Sequence, residues 1–150
     1  MKSQGFRDTG MFVSSPARPG TKTPANLARL MACLDNSANV AVPLRPKGAG
    51  TSATDCNLAT AGTSINTVGL DRIVKIDAHN CTVTAEAGVR LGELIAALAD
   101  EDLELVGNFD QTERTLGGAI ASPCFGAGIG GQASLLSSQV IKMRTVLASG

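Results

Sequence analysis

Two stretches of the chain place apolar residues at the spacing of an amphipathic helix. The four positions at i, i+3, i+4 and i+7 are Leu27, Leu30, Met31 and Leu34 in the first stretch and Leu91, Leu94, Ile95 and Leu98 in the second. This spacing aligns the side chains on one face of a helix. We therefore expect a first helix that starts at Pro24, with Thr23 as its cap, and ends near Asp35. The second should begin after Gly88 and end near Asp102.

Short runs rich in β-branched and other apolar residues predict the strands. They lie at 39–44, 72–77, 81–86 and 140–147. Only three residues separate the second and third runs, which predicts a β-hairpin. The polar stretch 53–70 should be irregular. Seven glycines between positions 107 and 131 predict a loop there rather than a helix or a packed strand.

Composition limits the classes of partner. The chain has 150 residues, 43% of them hydrophobic, with 13 lysines and arginines against 13 aspartates and glutamates. One compact domain over 1–150 is expected, and the balanced charge disfavours a nucleic-acid partner. Four dispersed cysteines and a single histidine, His79, lack the spacing of a zinc site, so no metal is expected. Without a secretory signal or a run of about 18 apolar residues, the chain is expected to be cytoplasmic and to lack a membrane segment.

A glycine-rich turn after the first predicted strand is the strongest candidate for ligand chemistry. The run KGAGTS at 47–52 offers successive backbone amides and the hydroxyls of Thr51 and Ser52, which suit an anion such as a phosphate. The run lacks the spacing of the P-loop of nucleoside triphosphatases. An ordinary connecting turn is the alternative interpretation.

A second glycine-rich run, GAGIGG at 126–131, matches the dinucleotide fingerprint G-x-G-x-x-G. In a Rossmann fold that fingerprint follows a buried strand and opens a helix, with an acidic residue about 20 positions later. Here Ser122 and Pro123 precede the run, and the sequence contains no acid at the required distance. The context therefore disfavours a Rossmann fold.

Four blocks in order resemble the flavin-binding domain of the FAD-linked oxidase superfamily, of the vanillyl-alcohol oxidase or p-cresol methylhydroxylase type. They are RPKGAGTS at 45–52, a segment at 71–88 that ends in VTAEAG, TLGGAIASPCFGAG at 115–128, and VIKMRTVLASG at 140–150. The resemblance implies an α+β fold of two small sheets with flanking helices. Within the superfamily, the third block followed by SLLSSQV at 134–140 is most similar to the sugar-lactone and alditol oxidases.

The resemblance also implies that FAD lies between two glycine-rich loops. Carried over residue by residue, the expected FAD contacts are Lys47, Gly48, Ala49, Gly50, Thr51, Ser52, Asp110, Thr115, Gly117, Gly118, Ser122, Pro123, Cys124, Phe125 and Gly126. Relatives that bond FAD covalently carry histidine at the position of Thr51 or, where they are doubly linked, cysteine at that of Glu113. Other relatives carry a histidine at the position of Phe125. A noncovalent cofactor is therefore expected here.

The function implied by the resemblance is that of an FAD-dependent oxidase or dehydrogenase. Such an enzyme moves a hydride from a C–H bond next to oxygen to flavin N5, and its small-molecule substrate would be a sugar lactone, an alditol or a 2-hydroxy acid. Residues 1–150 would form the N-terminal, FAD-binding part, with the catalytic residues in a C-terminal substrate domain absent from this chain. The alternative is a non-catalytic nucleotide-binding or interaction module, or an inactive truncated fragment.

Overall fold

The computed structural model describes residues 20–35, 40–54, 56, 59, 61–127 and 135–147. Its strands are β1 (Thr21–Lys22), β2 (Leu44–Lys47), β3 (Thr63–Asn66), β4 (Ile73–Asp77) and β5 (Thr82–Ala85). Its helices are α1 (Leu27–Asp35), α2 (Leu91–Ala99) and α3 (Leu116–Ala121), with short 3₁₀ turns at Thr67–Gly69 and Leu136–Gln139. Across the described ranges, no helix has both the length and the apolar character needed to cross a membrane.

The strands form two small sheets. β1 and β2 flank β3, and all three strands run parallel, with Lys47 of β2 opposite Asn66 of β3. β4 and β5 form an antiparallel hairpin, in which Ile76 lies opposite Val83. The predicted α+β class, with two small sheets and flanking helices, is confirmed, as is the predicted hairpin. Because β2 and β3 are parallel, the segments that follow them leave from the same edge of the sheet.

The start of α1 differs from the prediction. The helix begins at Leu27, and Asn26 rather than Thr23 caps it, because the Arg29 amide donates to the Asn26 side-chain oxygen at 2.9 Å. This bond satisfies an amide that has no carbonyl partner within the first turn. Pro24 therefore lies before the helix and not at its first position.

The apolar face predicted for α2 is confirmed. Leu91, Leu94 and Leu98 are 0%, 1% and 4% exposed, as the helical spacing requires. The helix ends at Ala99, earlier than predicted, and the following turn closes at Asp102 with a φ of 56°. A residue in this left-handed region cannot continue a right-handed helix.

The strand predicted at 39–44 is wrong in position. β2 begins at Leu44, the last residue of the predicted run, and continues to Lys47. Pairing with β3 decides this placement, since the Thr63 amide donates to the Pro43 carbonyl at 3.0 Å and the ladder extends from there to Lys47. Strand propensity alone does not specify which residues find a partner.

β3 lies within the stretch 53–70 that was predicted to be irregular. Its Thr63 and Ile65 side chains are 1% and 4% exposed, whereas Ser64 and Asn66 on the other face are half-buried. This alternation spans only four residues and includes three polar ones. Such a short alternation is a weak sequence signal, although neighbouring strands on both sides stabilise it.

The final predicted strand is also wrong. Residues 140–147 adopt no regular secondary structure and pair with no other strand among the described residues. Ile141 and Leu147 are 83% and 65% exposed. The apolar pattern of this segment favours a strand, but a strand forms only when another backbone completes its hydrogen bonds.

The glycine-rich region contains a helix that was predicted to be absent. α3 includes Gly117 and Gly118, and a Cβ atom on Gly117 would lie 2.9 Å from the Cβ of Ala87. Close packing against a neighbouring segment thus accounts for glycine in this helix. Residues 128–131, the end of the G-x-G-x-x-G run, lie outside the described residues.

Among the described residues, two apolar clusters of the core meet at α2. One joins Leu94 and Leu98 to the hairpin, including Ile76 and Val83. The other, on the side of α2 that carries Leu91, consists of Leu91, Phe109, Ala119, Cys124 and Leu136. The second cluster anchors α3 and the segment that follows it, and so fixes the position of the second glycine-rich loop.

Candidate functional site

The first loop of the candidate site, loop 1 (residues 47–52), leaves the sheet at the end of β2. Its first three residues are half-buried, and its last three, Gly50, Thr51 and Ser52, are exposed. Gly50 has a φ of +77°, in the left-handed region that favours glycine. The exposed end of the turn therefore carries the two hydroxyl side chains, and Lys47 at its start carries a positive charge.

Loop 1 packs directly against the second glycine-rich segment of the site, loop 2 (residues 115–126), which includes α3. A Cβ atom placed on Gly48 would lie 2.2 Å from Thr115 Oγ1. Thr115 is itself only 1% exposed, so it has little room to move away. The structure thus brings together two residues that were predicted from separate blocks of the sequence.

The beginning of α3 is held by three hydrogen bonds. The Gly118 amide donates to Thr115 Oγ1 at 3.3 Å, and the Gly117 amide donates to the Ala87 carbonyl at 2.8 Å. The Leu116 amide donates to the Val89 carbonyl at 2.7 Å. Thr115 therefore caps α3, and these amides form bonds within the protein.

The end of loop 2 is tied back to α3. The Ser122 hydroxyl donates to the Gly118 carbonyl at 2.9 Å and accepts a hydrogen bond from the Arg114 guanidinium. Cys124 is 4% exposed, and its carbonyl accepts a bond from the Leu136 amide at 3.1 Å. These contacts give loop 2 a defined shape, and they place the Cys124 thiol in the core.

Three other predicted FAD contacts lie on the surface, one before loop 2 and two near its end. Asp110, Pro123 and Phe125 are exposed, and the Phe125 side chain is 65% exposed. Gly126 packs against the Phe109 ring, where an added Cβ atom would lie 2.9 Å from a ring carbon. The structure therefore joins loop 1 to the start of loop 2 and presents the end of loop 2 as an apolar, partly exposed surface.

A comparison with known protein families matches residues 20–150 to the family described as "FAD binding domain". The chain belongs to this family. The match includes both glycine-rich loops and confirms the prediction that FAD is the cofactor. A Rossmann dinucleotide fold is not needed to account for the glycine runs of this FAD-binding domain.

Curated relatives of the chain are sugar-lactone dehydrogenases. The chain is 31% identical over 123 residues to an L-galactono-1,4-lactone dehydrogenase of Arabidopsis thaliana, a match that covers 82% of this chain and 20% of the relative. It is 32% identical over 127 residues to an L-gulono-1,4-lactone dehydrogenase of Mycobacterium tuberculosis, covering 85% of this chain and 29% of the relative. The chain thus spans less than a third of the length of these relatives. Both act on sugar lactones according to their names, in agreement with the predicted similarity to the sugar-lactone branch.

A solved structure supports the fold. An alkyldihydroxyacetonephosphate synthase matches with a TM-score of 0.62 and 20% sequence identity, covering 71% of this chain and 22% of that one. At this level of identity the match concerns the fold of the FAD-binding domain.

Just after loop 1, Cys56 carries a thiol whose pKa is perturbed. Cys56 Sγ lies 3.2 Å from Ser52 Oγ, and the Arg45 guanidinium donates to the Cys56 carbonyl at 2.9 Å. Hydrogen bonds from the Ser52 hydroxyl and then from that of Thr54 lower the pKa of the Cys56 thiol, and the charge of Arg45 adds a smaller effect. The same serine was predicted to contact FAD, so the thiol and the cofactor loop share a hydrogen-bonding group.

Glu113, which the sequence resemblance aligns with a flavin-bonding cysteine, forms an ion pair within the protein. The Glu113 carboxylate pairs with the Arg90 guanidinium at 3.0 Å, and the same guanidinium donates to the Glu113 carbonyl at 2.8 Å. The Glu113 side chain is 70% exposed. This pair lies beside the start of loop 2, since Arg90 forms a β-bridge with Thr115.

The sequence did not identify Thr67 as part of the site. Its hydroxyl donates to the Lys47 carbonyl at 3.2 Å, which places it directly behind loop 1. Thr67 lies in the stretch predicted to be irregular, and no motif includes it. Only knowledge that β2 and β3 are parallel neighbours, with Lys47 opposite Asn66, would have indicated this contact.

The arrangement suits a bound dinucleotide with an anionic diphosphate. The absence of a side chain on Gly48 keeps the two loops in contact, and the positive φ of Gly50 turns the exposed end of loop 1. Such a turn, rich in glycine and hydroxyl groups, binds phosphate oxygens through amides and hydroxyls, with Lys47 adding positive charge. The residues present therefore fit the cofactor of the family.

Proposed function

We propose that this chain is the FAD-holding part of a dehydrogenase or oxidase that acts on a sugar lactone or a related small hydroxy compound. FAD, when bound, supplies the flavin N5 atom that accepts a hydride from a substrate C–H bond next to oxygen. The observation that carries the proposal is the packing of Gly48 against Thr115, which unites two glycine-rich loops in a chain of the FAD-binding family. The names of the lactone dehydrogenase relatives support the substrate class.

Within this proposal, loop 1 is the main anchor of the FAD diphosphate. Lys47 supplies positive charge, and the exposed hydroxyl of Thr51 supplies a donor. The Ser52 hydroxyl has a single proton, so it donates either to a phosphate oxygen or to Cys56 Sγ, which lies 3.2 Å away. Loop 2 contributes shape instead, because the amides of Gly117 and Gly118 already donate to protein oxygens. The two loops thus have different tasks in holding one ligand.

The cofactor is held noncovalently in this proposal. Thr51 offers a hydroxyl, which does not replace the imidazole or thiolate that bonds a flavin in other members. Glu113 is paired with Arg90, and Phe125 has no nucleophilic atom. FAD would therefore depend on loop 1 and on packing for its retention.

Substrate binding and catalysis belong to another part of the whole enzyme in this proposal. The relatives are several times longer than the region that aligns with this chain. The alignments cover only 20% and 29% of the lengths of the two relatives. We place the catalytic residues in a substrate domain that follows the FAD-binding domain. The competing function, a non-catalytic nucleotide-binding module, shares loop 1 but would not require a flavin.

Titration of the purified chain tests the proposal. FAD should bind with quenching of its fluorescence, ADP should compete, and riboflavin, which lacks the diphosphate, should bind far more weakly. Lys47→Ala should weaken FAD binding, whereas Lys22→Ala, which removes an exposed lysine on β1, should not. Equal affinity for riboflavin would contradict a diphosphate anchor. Binding of ADP without any preference for FAD would favour the non-catalytic module.

A further inference from the structure

The residue after β3 makes contact with the residue that opens loop 1. Lys47 ends β2 and lies opposite Asn66, the last residue of β3. Thr67 follows directly, and its partly buried hydroxyl donates to the Lys47 carbonyl at 3.2 Å. A side chain from one strand end therefore holds the backbone at the neighbouring strand end.

The backbone of Thr67 is itself closely held. The Asn66 side chain accepts a bond from the Val68 amide at 3.4 Å, and the Thr67 carbonyl accepts one from the Leu70 amide at 2.9 Å. Gly88 packs so tightly behind this turn that an added Cβ atom would lie 2.0 Å from the Thr67 carbonyl oxygen. The hydroxyl is thus presented to Lys47 from a fixed position.

The same turn is connected to loop 2. The Gly88 amide donates to the Leu70 carbonyl at 2.7 Å, and the neighbouring Ala87 carbonyl accepts a bond from the Gly117 amide at 2.8 Å. A hydrogen-bonded path therefore runs from loop 1 through Thr67 and the turn at 87–88 to the start of α3. This path is separate from the direct contact between Gly48 and Thr115.

We propose that Thr67 is a positioning residue for loop 1. In a trans peptide the N–H and C=O groups point in opposite directions, so a bond that fixes the Lys47 carbonyl also fixes the direction of the Gly48 amide. This constraint matters because glycine by itself allows many backbone conformations. The inference rests on the proposed function, since it assigns to Thr67 the orientation of amides in the FAD diphosphate anchor.

Three variants of the 150-residue chain isolate the hydroxyl. Thr67→Val removes the donor and keeps the side-chain shape, while Thr67→Ser keeps the donor. Thr82→Val makes the same change at another half-buried threonine, on the hairpin. Loss of one hydrogen bond should weaken FAD binding about three- to tenfold in Thr67→Val. Thr67→Ser and Thr82→Val should bind FAD like the parent.

Hydrogen exchange in the FAD-free protein gives a second readout that does not depend on the cofactor. Thr67→Val should speed exchange of the amides at 48–50, about three- to tenfold, and should leave the hairpin amides unchanged. Thr67→Ser should retain the parent rate. Thermal unfolding of each variant shows whether the fold is kept, and Thr67→Ala replaces Thr67→Val if the latter does not fold.

The outcomes separate this inference from the proposed function. If the parent does not bind FAD but Thr67→Val still loosens loop 1, the proposed function fails and the positioning role stands. If the parent binds FAD and Thr67→Val matches it in affinity or in loop exchange, the positioning role is overturned. The same holds if Thr67→Ser behaves like Thr67→Val, because the hydroxyl would then not be the cause.

Discussion

Gly48 and Thr115 are packed so closely that a Cβ atom on Gly48 would lie 2.2 Å from the Thr115 hydroxyl oxygen. The two residues come from different loops, and Thr115 also caps α3 by accepting a bond from the Gly118 amide. Glycine at position 48 thus has a role within the protein in addition to any close approach by a ligand. One contact couples the shape of loop 1 to the start of loop 2.

Gly48→Ala should therefore destabilise the fold as well as weaken FAD binding. The added methyl group overpacks the contact with Thr115, which typically costs about 1–3 kcal/mol in the free energy of unfolding. Urea unfolding of the FAD-free protein measures this cost, and FAD titration measures the effect on affinity. Unchanged values in both experiments would show that the two loops are not in contact as described.

A double-mutant cycle provides the control for this prediction. Thr115→Ala removes the oxygen that the new methyl group would meet, although it also removes the α3 cap, at about 1 kcal/mol. The cost of Gly48→Ala should be smaller in the Thr115→Ala background than in the parent. Equal costs in the two backgrounds would place the strain at another residue.

The parts of the fold that follow from periodicity were predictable. Leu91, Leu94 and Leu98 form the buried face of α2, as their spacing indicates, and the hairpin follows from two apolar runs separated by a short turn. Elements that depend on a partner elsewhere in the chain were not predictable. β3 is stabilised by strands on both sides, whereas the segment 140–147 has strand-like residues and no strand partner within the described part of the chain.

The same distinction applies to the site. Loop 1 is visible in the sequence, because glycines and hydroxyl residues after a strand have a local physical meaning. The helix that contains Gly117 and the contact of Thr67 with Lys47 depend on which segments lie together. Resemblance to a family supplied the residues of loop 2, but their hydrogen bonds to Ala87 and Thr115 come only from the structure.

The Arg72–Glu86 ion pair at the open end of the hairpin should make the free energy of unfolding depend on pH. The Arg72 guanidinium donates to the Glu86 carboxylate at 2.8 Å and the Arg72 amide donates to its other oxygen at 3.1 Å. The guanidinium bond, followed by the smaller effect of the amide, holds the pKa of Glu86 below its usual value. A lowered folded pKa contributes stability above the unfolded value of about 4.3 and loses it as the pH falls through the folded pKa.

Glu86→Gln should therefore reduce the loss of stability on acidification. Thermal unfolding from neutral pH to about pH 3 would compare it with the parent, across the range in which carboxylates titrate. Glu101→Gln, which removes one carboxylate at an exposed position after α2, is the matched control, and Glu86→Gln should lose less stability on acidification than this control. If Glu86→Gln and the parent lose stability in parallel, the pair does not contribute to acid sensitivity.

Cys56 should be the most rapidly alkylated cysteine of the described part of the chain. It is exposed, and hydrogen bonds from Ser52 and Thr54 lower the pKa of its thiol, which raises the thiolate fraction at neutral pH. Alkylation with iodoacetamide, followed by mass spectrometry of peptides, gives the rate at each cysteine. Cys81, which is also exposed, is the internal comparison, and Cys124 is buried.

Ser52→Ala should slow the alkylation of Cys56, because it removes the hydroxyl that contributes most to the lowered pKa. Addition of FAD should also slow it in the parent, since Ser52 lies in loop 1. An unchanged rate in Ser52→Ala would show that the hydrogen bond does not control the reactivity of the thiol. Protection by riboflavin as strong as that by FAD would argue against a diphosphate on loop 1.

FAD bound to this chain should be released by acid. Thr51 and Glu113 are not flavin nucleophiles of the kind found in covalent members, and the Glu113 carboxylate is paired with Arg90 at 3.0 Å. After acid precipitation, the yellow colour should therefore remain in the supernatant. Colour in the washed pellet would instead show a covalent bond. Cys56 would then be the first residue to replace by alanine, because its thiol is exposed and lies 3.2 Å from the Ser52 hydroxyl of loop 1, whereas Cys124 is 4% exposed within the core.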